Sequence, residues 1–198
     1  MSNVAIIDSG GANIASLRFA LQRLGAEPLL TRDVETLLGA SHVLLPGVGA
    51  AADAMARLRE ADLDRVIPRL TQPVLGICLG MQLLFESSAE GGVDCLGVIE
   101  GCVEPLPAGE DICVPHMGWN QARRAGECAL LDGISDDPYF YFVHSYAVAA
   151  GAATRAVTDH GIEFSAIVAR GNFHGTQFHP ERSGVAGARV LRNFLEFN

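Results

Sequence analysis

Short apolar runs alternate with stretches of helical periodicity through the first half of the chain. The apolar runs that predict strands are 4–7, 28–31, 42–45 and 73–77. Helical spacing follows the first and third runs, with Asn13 in position to cap the first helix, and a further helix is predicted over 79–85. Because strands that alternate with helices form parallel sheets covered on both faces, this half predicts a parallel α/β arrangement.

The second half is richer in strands. Predicted strands lie at 98–106, 139–148, 154–157, 164–168 and 176–178, and a terminal helix runs through 190–195. No Pro/Gly/Ser-rich linker separates the two halves, and no internal repeat is present. We therefore expect one α/β domain over residues 1–198, with an open, mostly parallel twisted sheet, helices on both faces and a strand-rich C-terminal half.

Composition excludes several classes of function. The 198 residues carry 14 Lys plus Arg against 23 Asp plus Glu, a net charge of −9, and every basic residue is Arg. Nucleic-acid binding needs a basic surface, and Schiff-base or Walker-type chemistry needs a lysine. No apolar run approaches the roughly 18 residues that span a bilayer, and the N-terminus lacks the pattern of a signal peptide. The sequence predicts a cytoplasmic protein that binds neither nucleic acid nor membrane.

One of the five cysteines stands apart from the others. The odd number and the absence of any C-x-x-C pair argue against a disulfide framework or a zinc site. Cys78, however, lies between Gly76 and Gly80 where an apolar strand gives way to a helix. This G-x-C-x-G pattern is that of a nucleophile elbow, and a helix N-terminus favours the thiolate. A lone cysteine at such a junction is more often a buried structural thiol, but the flanking glycines favour a nucleophile.

A cysteine nucleophile needs a base, and one histidine has a carboxylate beside it. His179 and Glu181 are two residues apart in a β-like segment, which predicts that both side chains lie on one face. The carboxylate would then hold the imidazole in one tautomer and stabilise its protonated form. The alternative is a histidine in a turn beside a solvated Glu. Histidines 42, 160 and 174 are interpreted as loop or strand-end residues, and histidines 116 and 144 stay open.

Acyl transfer also requires donors for an oxyanion. The N–H of Leu79 directly follows the nucleophile, and the turn at 46–49 offers the N–H groups of Val48 and Gly49. If this glycine-rich turn moves, it switches a donor on or off. The alternative is that the turn simply ends a strand.

The segments 76–82 and 177–181 together resemble the class I, or triad, glutamine amidotransferases. Within that family, 46–50, 115–120, 141–146 and 178–183 are similar to the glutaminase subunits of imidazole glycerol phosphate synthases. The resemblance spans nearly the whole chain. It implies Cys78 as nucleophile, His179 as general base and then acid, Glu181 as orienter, and ammonia release from L-glutamine through a thioester, with no cofactor or metal.

The resemblance also implies binding positions and a partner. The positions that it carries over for glutamine binding are Gly49, Gln82, Glu90, Ser145 and Tyr146. Gln82 could instead cap a helix or face solvent, and Glu90 could be a loop carboxylate. The implied partner is a (βα)₈ cyclase subunit that receives the ammonia.

The expected contact surface for the cyclase includes five residues, although Trp119 could instead be buried within the monomer. These residues are Asn13, Trp119, Asn120, His144 and Arg182.

The chain departs from the pattern of these glutaminase subunits at four positions. Ser9 and Ala12 replace an aromatic residue and a glycine, His160 stands where Tyr is usual, and Arg182 stands where Lys is commonest. None of these departures touches the triad. Three alternatives stay open: an amidotransferase that serves a different synthase, a non-catalytic regulatory module, and a cysteine peptidase or γ-glutamyl hydrolase.

Overall fold

A computed structural model describes residues 3–9, 14–109 and 112–197 of the chain. The helices are α1 Ile14–Arg23, α2 Val34–Leu38, α3 Ala51–Glu60, α4 Leu63–Val66, α5 Leu79–Gln82 and α6 Gly184–Leu195. The strands are β1 Val4–Ile7, β2 Leu29–Thr31, β3 His42–Gly47, β4 Val74–Cys78, β5 Ser87–Ser88, β6 Val93–Asp94, β7 Cys102–Pro105, β8 His116–Gln121, β9 Arg123–Arg124, β10 Tyr139–His144, β11 Tyr146–Ala147, β12 Thr154–Asp159, β13 Glu163–Arg170 and β14 Phe173–Thr176. Short 3₁₀ helices lie at Ile67–Arg69, Ala129–Leu131 and Pro180–Arg182.

The main sheet has the strand order β2-β1-β3-β4-β14-β13-β12-β9. The pairs from β2 to β14 are parallel, and those from β14 to β9 are antiparallel. The expected parallel α/β arrangement is therefore confirmed for the first half. The strand-rich second half extends the same sheet in the antiparallel sense and adds the smaller sheets β10-β8 and β11-β7-β5-β6.

Both faces of the main sheet are buried, and side chains from a single strand contribute to each face. Val4 and Ile6 of β1 pack into one core with α1, α6 and a group of phenylalanines. Ala5 and Ile7 point the other way, into a second core with α2, α3 and α4. Because successive strand residues alternate between faces, a continuous apolar run indicates a strand covered on both sides. The prediction of helices on both faces is confirmed.

Several predicted boundaries are wrong. The strand expected at 98–106 covers only Cys102–Pro105, because 98 and 99 bond back to Leu84. The strand expected at 176–178 is β14, which ends at Thr176. The helix expected over 79–85 ends at Gln82, since the carbonyls of residues 83–85 accept hydrogen bonds from residues 96–99 instead of continuing a helix. Strand β8 was not predicted.

The parallel strands end at one edge of the sheet, and the register there brings distant segments together. Gly47 at the end of β3 pairs with Cys78 at the end of β4. Strand β14 pairs with β4 on its other side, so that residues 177–179 leave the sheet beside Cys78. In open α/β sheets, sites form where the carboxyl ends of strands meet. Among the residues described, no helix combines the length and apolar character needed to cross a bilayer.

Candidate active site

Cys78 occupies a strained turn between β4 and α5. Its backbone has φ 54° and ψ −112°, a region that side-chain-bearing residues rarely adopt. A Cβ at Gly80 would lie 1.7 Å from the carbonyl oxygen of Leu45, and one at Gly76 would lie 2.7 Å from that of Gly80. Only glycine fits at either position, as the elbow interpretation requires. A backbone conformation as strained as that of Cys78 costs on the order of 1–3 kcal/mol, and such conformations cluster at functional sites.

The helix after Cys78 is short. It spans only Leu79–Gln82, so the aligned peptide dipoles that were expected to favour the thiolate are few. The thiol sulfur is nevertheless surrounded by polar groups. Its Sγ lies 3.8 Å from the carbonyl oxygen of Val143 and 3.8 Å from Nε2 of Gln177. The electrostatic environment of the Cys78 sulfur therefore depends on groups from other elements more than on the helix that follows it.

His179 and Glu181 form a buried pair, although not on a strand. His179 precedes the 3₁₀ helix Pro180–Arg182, and Glu181 lies within it, so the expectation of two side chains on one strand face is wrong. Pro180 cannot donate to a sheet, and the backbone turns at this point. The turn still brings His179 Nδ1 to 2.8 Å from Glu181 Oε1, with both side chains at least 94% buried. Two contacts fix the histidine backbone: its N–H donates to Tyr141 and its carbonyl accepts from Ser183 Oγ.

The pKa of His179 is unusually high. Burial lowers it, but hydrogen bonds and charge interactions with Cys78 and Glu181 outweigh burial and raise the pKa to about 10. The imidazole thus bridges the thiol and the carboxylate. A protonated imidazole held beside a sulfur is the arrangement that favours a thiolate nucleophile.

A cavity of about 410 Å³ opens over Cys78. It collects residues from the ends of β3, β4 and β10, from the segment after β14 and from the loop that carries Glu90. Of the residues predicted from the sequence, those that line it are Val48, Gly49, Cys78, Leu79, Gln82, Glu90, His144, Ser145, Tyr146, His179 and Arg182. Glu181 lies behind His179.

The turn next to Cys78 is held at both ends. At its start, Ser9 Oγ donates to the carbonyl of Pro46 over 2.7 Å. At its end, the N–H of Ala51, the first residue of α3, donates to Glu90 Oε2 over 2.9 Å. Between these anchors Gly49 has φ +89° and open space around it. Glu90 is therefore a helix-capping carboxylate as well as a pocket residue, and the departure at Ser9 contributes a bond to this turn.

Two glutamine side chains connect the pocket wall to the sulfur. Gln82 Nε2 donates to the carbonyl of Tyr146 over 2.8 Å and to Oε1 of Gln177 over 3.0 Å. Gln177 is completely buried, and its Nε2 faces Cys78. In the sequence, Gln177 is recognisable only as part of the segment 177–181. An amide beside His179 in an apolar segment was the available signal, but only the folded contacts reveal its role.

His116 and His144, which the sequence left open, form a buried chain beside the pocket. The Tyr146 carbonyl can only accept, so His144 Nδ1, 2.8 Å away, carries the proton. His144 Nε2 then accepts from His116 Nδ1 over 3.0 Å, and His116 Nε2 accepts from Asn120 Nδ2 over 3.2 Å. Burial, the largest cause, and nearby histidines lower the pKa of His116 to about 4 and that of His144 to about 3. Both imidazoles are neutral at pH 7.

The antiparallel ribbon of β8 and β10 presents an exposed aromatic face next to the pocket. Trp119 is 56% exposed and packs edge-on against Tyr141, and Arg182 lies over the Tyr141 ring at 5.3 Å. Trp119 is therefore not buried within the monomer. His144, predicted as a surface contact, is buried, and Asn120 is half-buried. Asn13 and Ala12 lie outside the described residues.

Comparisons with known proteins identify the family of the chain. The model for the family "Glutamine amidotransferase class-I" matches residues 5–197. The subunit HisH of imidazole glycerol phosphate synthase from Xanthomonas campestris pv. campestris is 53% identical, and that from Xylella fastidiosa strain Temecula1 is 54% identical. Each match covers 100% of this chain and 99% of the relative.

Solved structures with low sequence identity share the fold. A crystal structure of a glutamine amidotransferase superposes with a TM-score of 0.75 at 22% identity, covering 98% of this chain and 97% of that chain. The glutaminase domain of Trypanosoma brucei CTPS, with bound acivicin, has a TM-score of 0.68 at 15% identity, covering 100% of this chain and 95% of that one. The predicted fold class is confirmed.

Proposed function

The chain belongs to the class-I glutamine amidotransferases, and from this premise we propose how its residues carry out the reaction. Its function is that of the glutaminase subunit of imidazole glycerol phosphate synthase in histidine biosynthesis, supported by about 53% identity over the full length. It hydrolyses L-glutamine to glutamate and ammonia. We take the 198 residues to act as one amidotransferase domain.

Cys78 is the nucleophile of the proposed mechanism. Its thiolate attacks the side-chain carboxamide carbon of glutamine, and the negative charge moves to the carboxamide oxygen. Imidazolium His179 then gives its proton to the leaving nitrogen, the C–N bond breaks, and ammonia departs from a γ-glutamyl thioester. Water next attacks the thioester while neutral His179 accepts its proton. Glutamate is released and the thiolate–imidazolium pair is regenerated. One glutamine and one water thus give one glutamate and one ammonia.

Glu181 acts through His179. The 2.8 Å bond from Nδ1 leaves Nε2 to face the sulfur and the substrate, and it stabilises the positive charge on the ring. The proposed oxyanion donors are the N–H groups of Leu79, Val48 and Gly49. Leu79 directly follows the nucleophile, and the turn at 48–49 continues from the residue paired with Cys78. Removal of one such donor typically raises the activation barrier by about 2.7–4 kcal/mol.

The proposed glutamine site is the 410 Å³ cavity. Gln82 uses its N–H groups on Tyr146 and Gln177, which leaves its Oε1 as the acceptor for substrate. Gly49, Glu90, Ser145 and Tyr146 complete the proposed binding set. Glu90 supplies negative charge suited to an α-ammonium group.

The proposed partner is the cyclase subunit, a (βα)₈ barrel that accepts the ammonia. The exposed ribbon of β8 and β10 supports this assignment, because exposed Trp and Arg side chains commonly anchor interfaces. Trp119, Asn120 and Arg182 belong to this face or its border, and Asn13 and His144 complete the expected set. Ammonia released beside such a surface enters the partner rather than bulk water.

The observation that carries the proposal is the buried contact of Cys78, His179 and Glu181 at a pocket. The test is release of glutamate from L-glutamine by the purified chain mixed with its cyclase subunit, with and without the cyclase's nucleotide ligand. Turnover that requires partner and ligand, and that disappears in Cys78→Ala, supports the assignment. Undiminished turnover by Cys78→Ala would overturn the nucleophile, and equal turnover without the cyclase would overturn the gated partnership.

A further inference from the structure

Gln177 is a buried polar side chain that contacts Cys78 and has no role in the reaction proposed above. Its side chain is completely shielded from solvent, between the end of β14 and His179. A buried amide costs free energy unless its donors and acceptor are satisfied, so its contacts define what it does.

The orientation of this amide is fixed by its neighbours. Gln82 approaches Gln177 with its Nε2, which can only donate, so the atom that it meets must be Oε1 of Gln177. The position of Gln82 is fixed in turn by the carbonyl of Tyr146, which can only accept. Nε2 of Gln177 therefore points away from Gln82 and towards the sulfur of Cys78, at 3.8 Å. Rotation of the amide would place two N–H groups against each other.

The donor is placed where the sulfur needs one. The thiol donates to the Val143 carbonyl at 3.8 Å, and this carbonyl opposes negative charge on the sulfur once the proton has left. The amide of Gln177 approaches the same sulfur as a donor. Hydrogen bonds to a charged form stabilise that form, and they do so more strongly in a dry site than in water.

We propose that Gln177 is a positioning residue for Cys78, whose N–H group, oriented through Gln82, holds the sulfur in place and stabilises the thiolate before glutamine binds. This proposal rests on the assignment of Cys78 as nucleophile and deepens it. It also gives Gln82 a second role, because this side chain on the pocket wall orients the Gln177 amide so that its N–H group faces the sulfur.

The test measures the thiolate directly rather than turnover. Gln177→Met keeps the length of the side chain and removes its N–H donor, and Gln177→Leu removes the donor with a branched side chain of similar size. The rate of Cys78 alkylation by iodoacetamide is followed against pH by peptide mass mapping, which separates Cys78 from the exposed Cys102 and Cys113. Gln177→Met and Gln177→Leu are each expected to move the alkylation midpoint upward by about one pH unit, because the hydrogen bond to the thiolate is lost.

Thr158→Val is the matched control. Thr158 of β12 is also completely buried, and its side chain donates one hydrogen bond over 2.9 Å to the carbonyl of Gln121 in β8. It does not line the cavity over Cys78. Loss of this hydrogen bond is expected to lower the melting temperature without moving the alkylation midpoint. Each variant is checked for folding by circular dichroism, and Gln177→Leu serves if Gln177→Met does not fold.

An unchanged midpoint in either folded Gln177 variant would overturn the proposal and leave Gln177 as a structural amide. An equal upward shift of the alkylation midpoint in Thr158→Val and Gln177→Met would overturn it as well. The shift would then follow from lost stability and not from the lost hydrogen bond to the sulfur. Failure of the nucleophile assignment is distinguishable, since it is read from glutamate release by Cys78→Ala and not from alkylation.

Discussion

His179 and His144 lie on the same pocket at nearly equal burial, 5% and 6% exposed, yet their pKa values move in opposite directions. The pKa of His179 is raised to about 10, whereas that of His144 is lowered to about 3. Burial acts alike on both rings and disfavours the charged form. The difference lies in the partners, because His179 contacts a carboxylate and a thiol while His144 contacts a carbonyl and a neutral imidazole.

One pocket therefore contains one histidine that favours its charged form and another that favours its neutral form. A buried imidazole becomes a cation only where a neighbour supplies compensating negative charge. In the chain from Asn120 to Tyr146, each ring donates once and accepts once, so neutrality satisfies every nitrogen. Of the two histidines that line the pocket, only His179 therefore favours the charged form.

The largest expected effect comes from removing the charged ring. His179→Gln should lower kcat for glutamate release in the cyclase complex by roughly 10²–10⁴-fold, because proton transfer to the leaving nitrogen is lost. His116→Gln, which alters the neutral chain outside the pocket, is the matched variant and should retain kcat within about tenfold. Steady-state kinetics of both variants decide the point. Equal losses would contradict the division between the two regions.

Removing the Glu181 carboxylate should lower the pKa of His179 and so favour its neutral form, as in His144. In Glu181→Gln the ring keeps a hydrogen-bond partner but loses the compensating charge, so the pKa of His179 should fall from about 10 by one unit or more. The alkaline limb of the pH–kcat/KM profile, which reports this group in the free enzyme, should move down with it. An alkaline limb that stays in place would show that Glu181 does not set the charge of the ring.

The same substitution should change stability in a pH-dependent way. The pKa of His179 in the folded protein lies above its unfolded value of 6.5, so the ion pair stabilises the fold fully below pH 6.5 and loses its effect as the pH rises through about 10. Urea unfolding of wild type and Glu181→Gln should therefore differ more at pH 6 than at pH 10.5. A larger difference at the higher pH would have the wrong sign.

The neutral chain should produce the opposite dependence at acid pH. The pKa values of His116 and His144 lie below 6.5 in the folded state, so the unfolded chain binds more protons and stability falls as the pH drops below 6.5. At pH 5 each buried ring should lower the free energy of unfolding by about 2 kcal/mol relative to its value at neutral pH. Urea unfolding at pH 7.5 and pH 5 measures this loss, and the double variant His116→Phe/His144→Phe should show a smaller one. An undiminished loss would assign the acid sensitivity to other groups.

Much of this arrangement could be predicted from the sequence, where local rules apply. The alternation of apolar runs and helical spacing predicts the parallel half, and Gly76 and Gly80 around Cys78 predict an elbow, because their requirement for glycine is steric and local. The spacing of His179 and Glu181 predicts a pair, although the pair forms on a 3₁₀ turn and not on a strand. The end of α5 was missed because its last carbonyls bond to residues 96–99, which are distant in sequence.

The electrostatic division of the pocket could not be predicted in this way. Whether His144 is a surface contact or a buried neutral ring depends on the pairing of β8 with β10, which sets it opposite His116. The role of Gln177 depends on which atom of Gln82 faces it, a contact across 95 residues. Composition and spacing carry no information about either contact, because both arise from the packing of separate elements.

The smallest predicted effect tests whether an added carboxylate raises the pKa of a histidine in the neutral chain. Asn120 Nδ2 now donates to His116 Nε2 over 3.2 Å. Asn120→Asp replaces this donor with a carboxylate, so that His116 needs protons on both nitrogens, as His179 does beside Glu181. The pKa of His116 should rise from about 4 by about one unit, a modest change because Asn120 is only half-buried and solvent screens the charge.

Imidazole NMR titration measures this shift, and Asn120→Ala, which removes the donor without adding charge, is the matched control. In Asn120→Ala the pKa of His116 should stay well below 6.5, because burial, its largest cause, is retained. If both variants raised the pKa equally, added exposure would explain the result. A rise confined to Asn120→Asp would show that a single carboxylate shifts a buried histidine in this pocket towards its charged form, and would support the conclusion that His179 owes its charge to its partners rather than to its place in the fold.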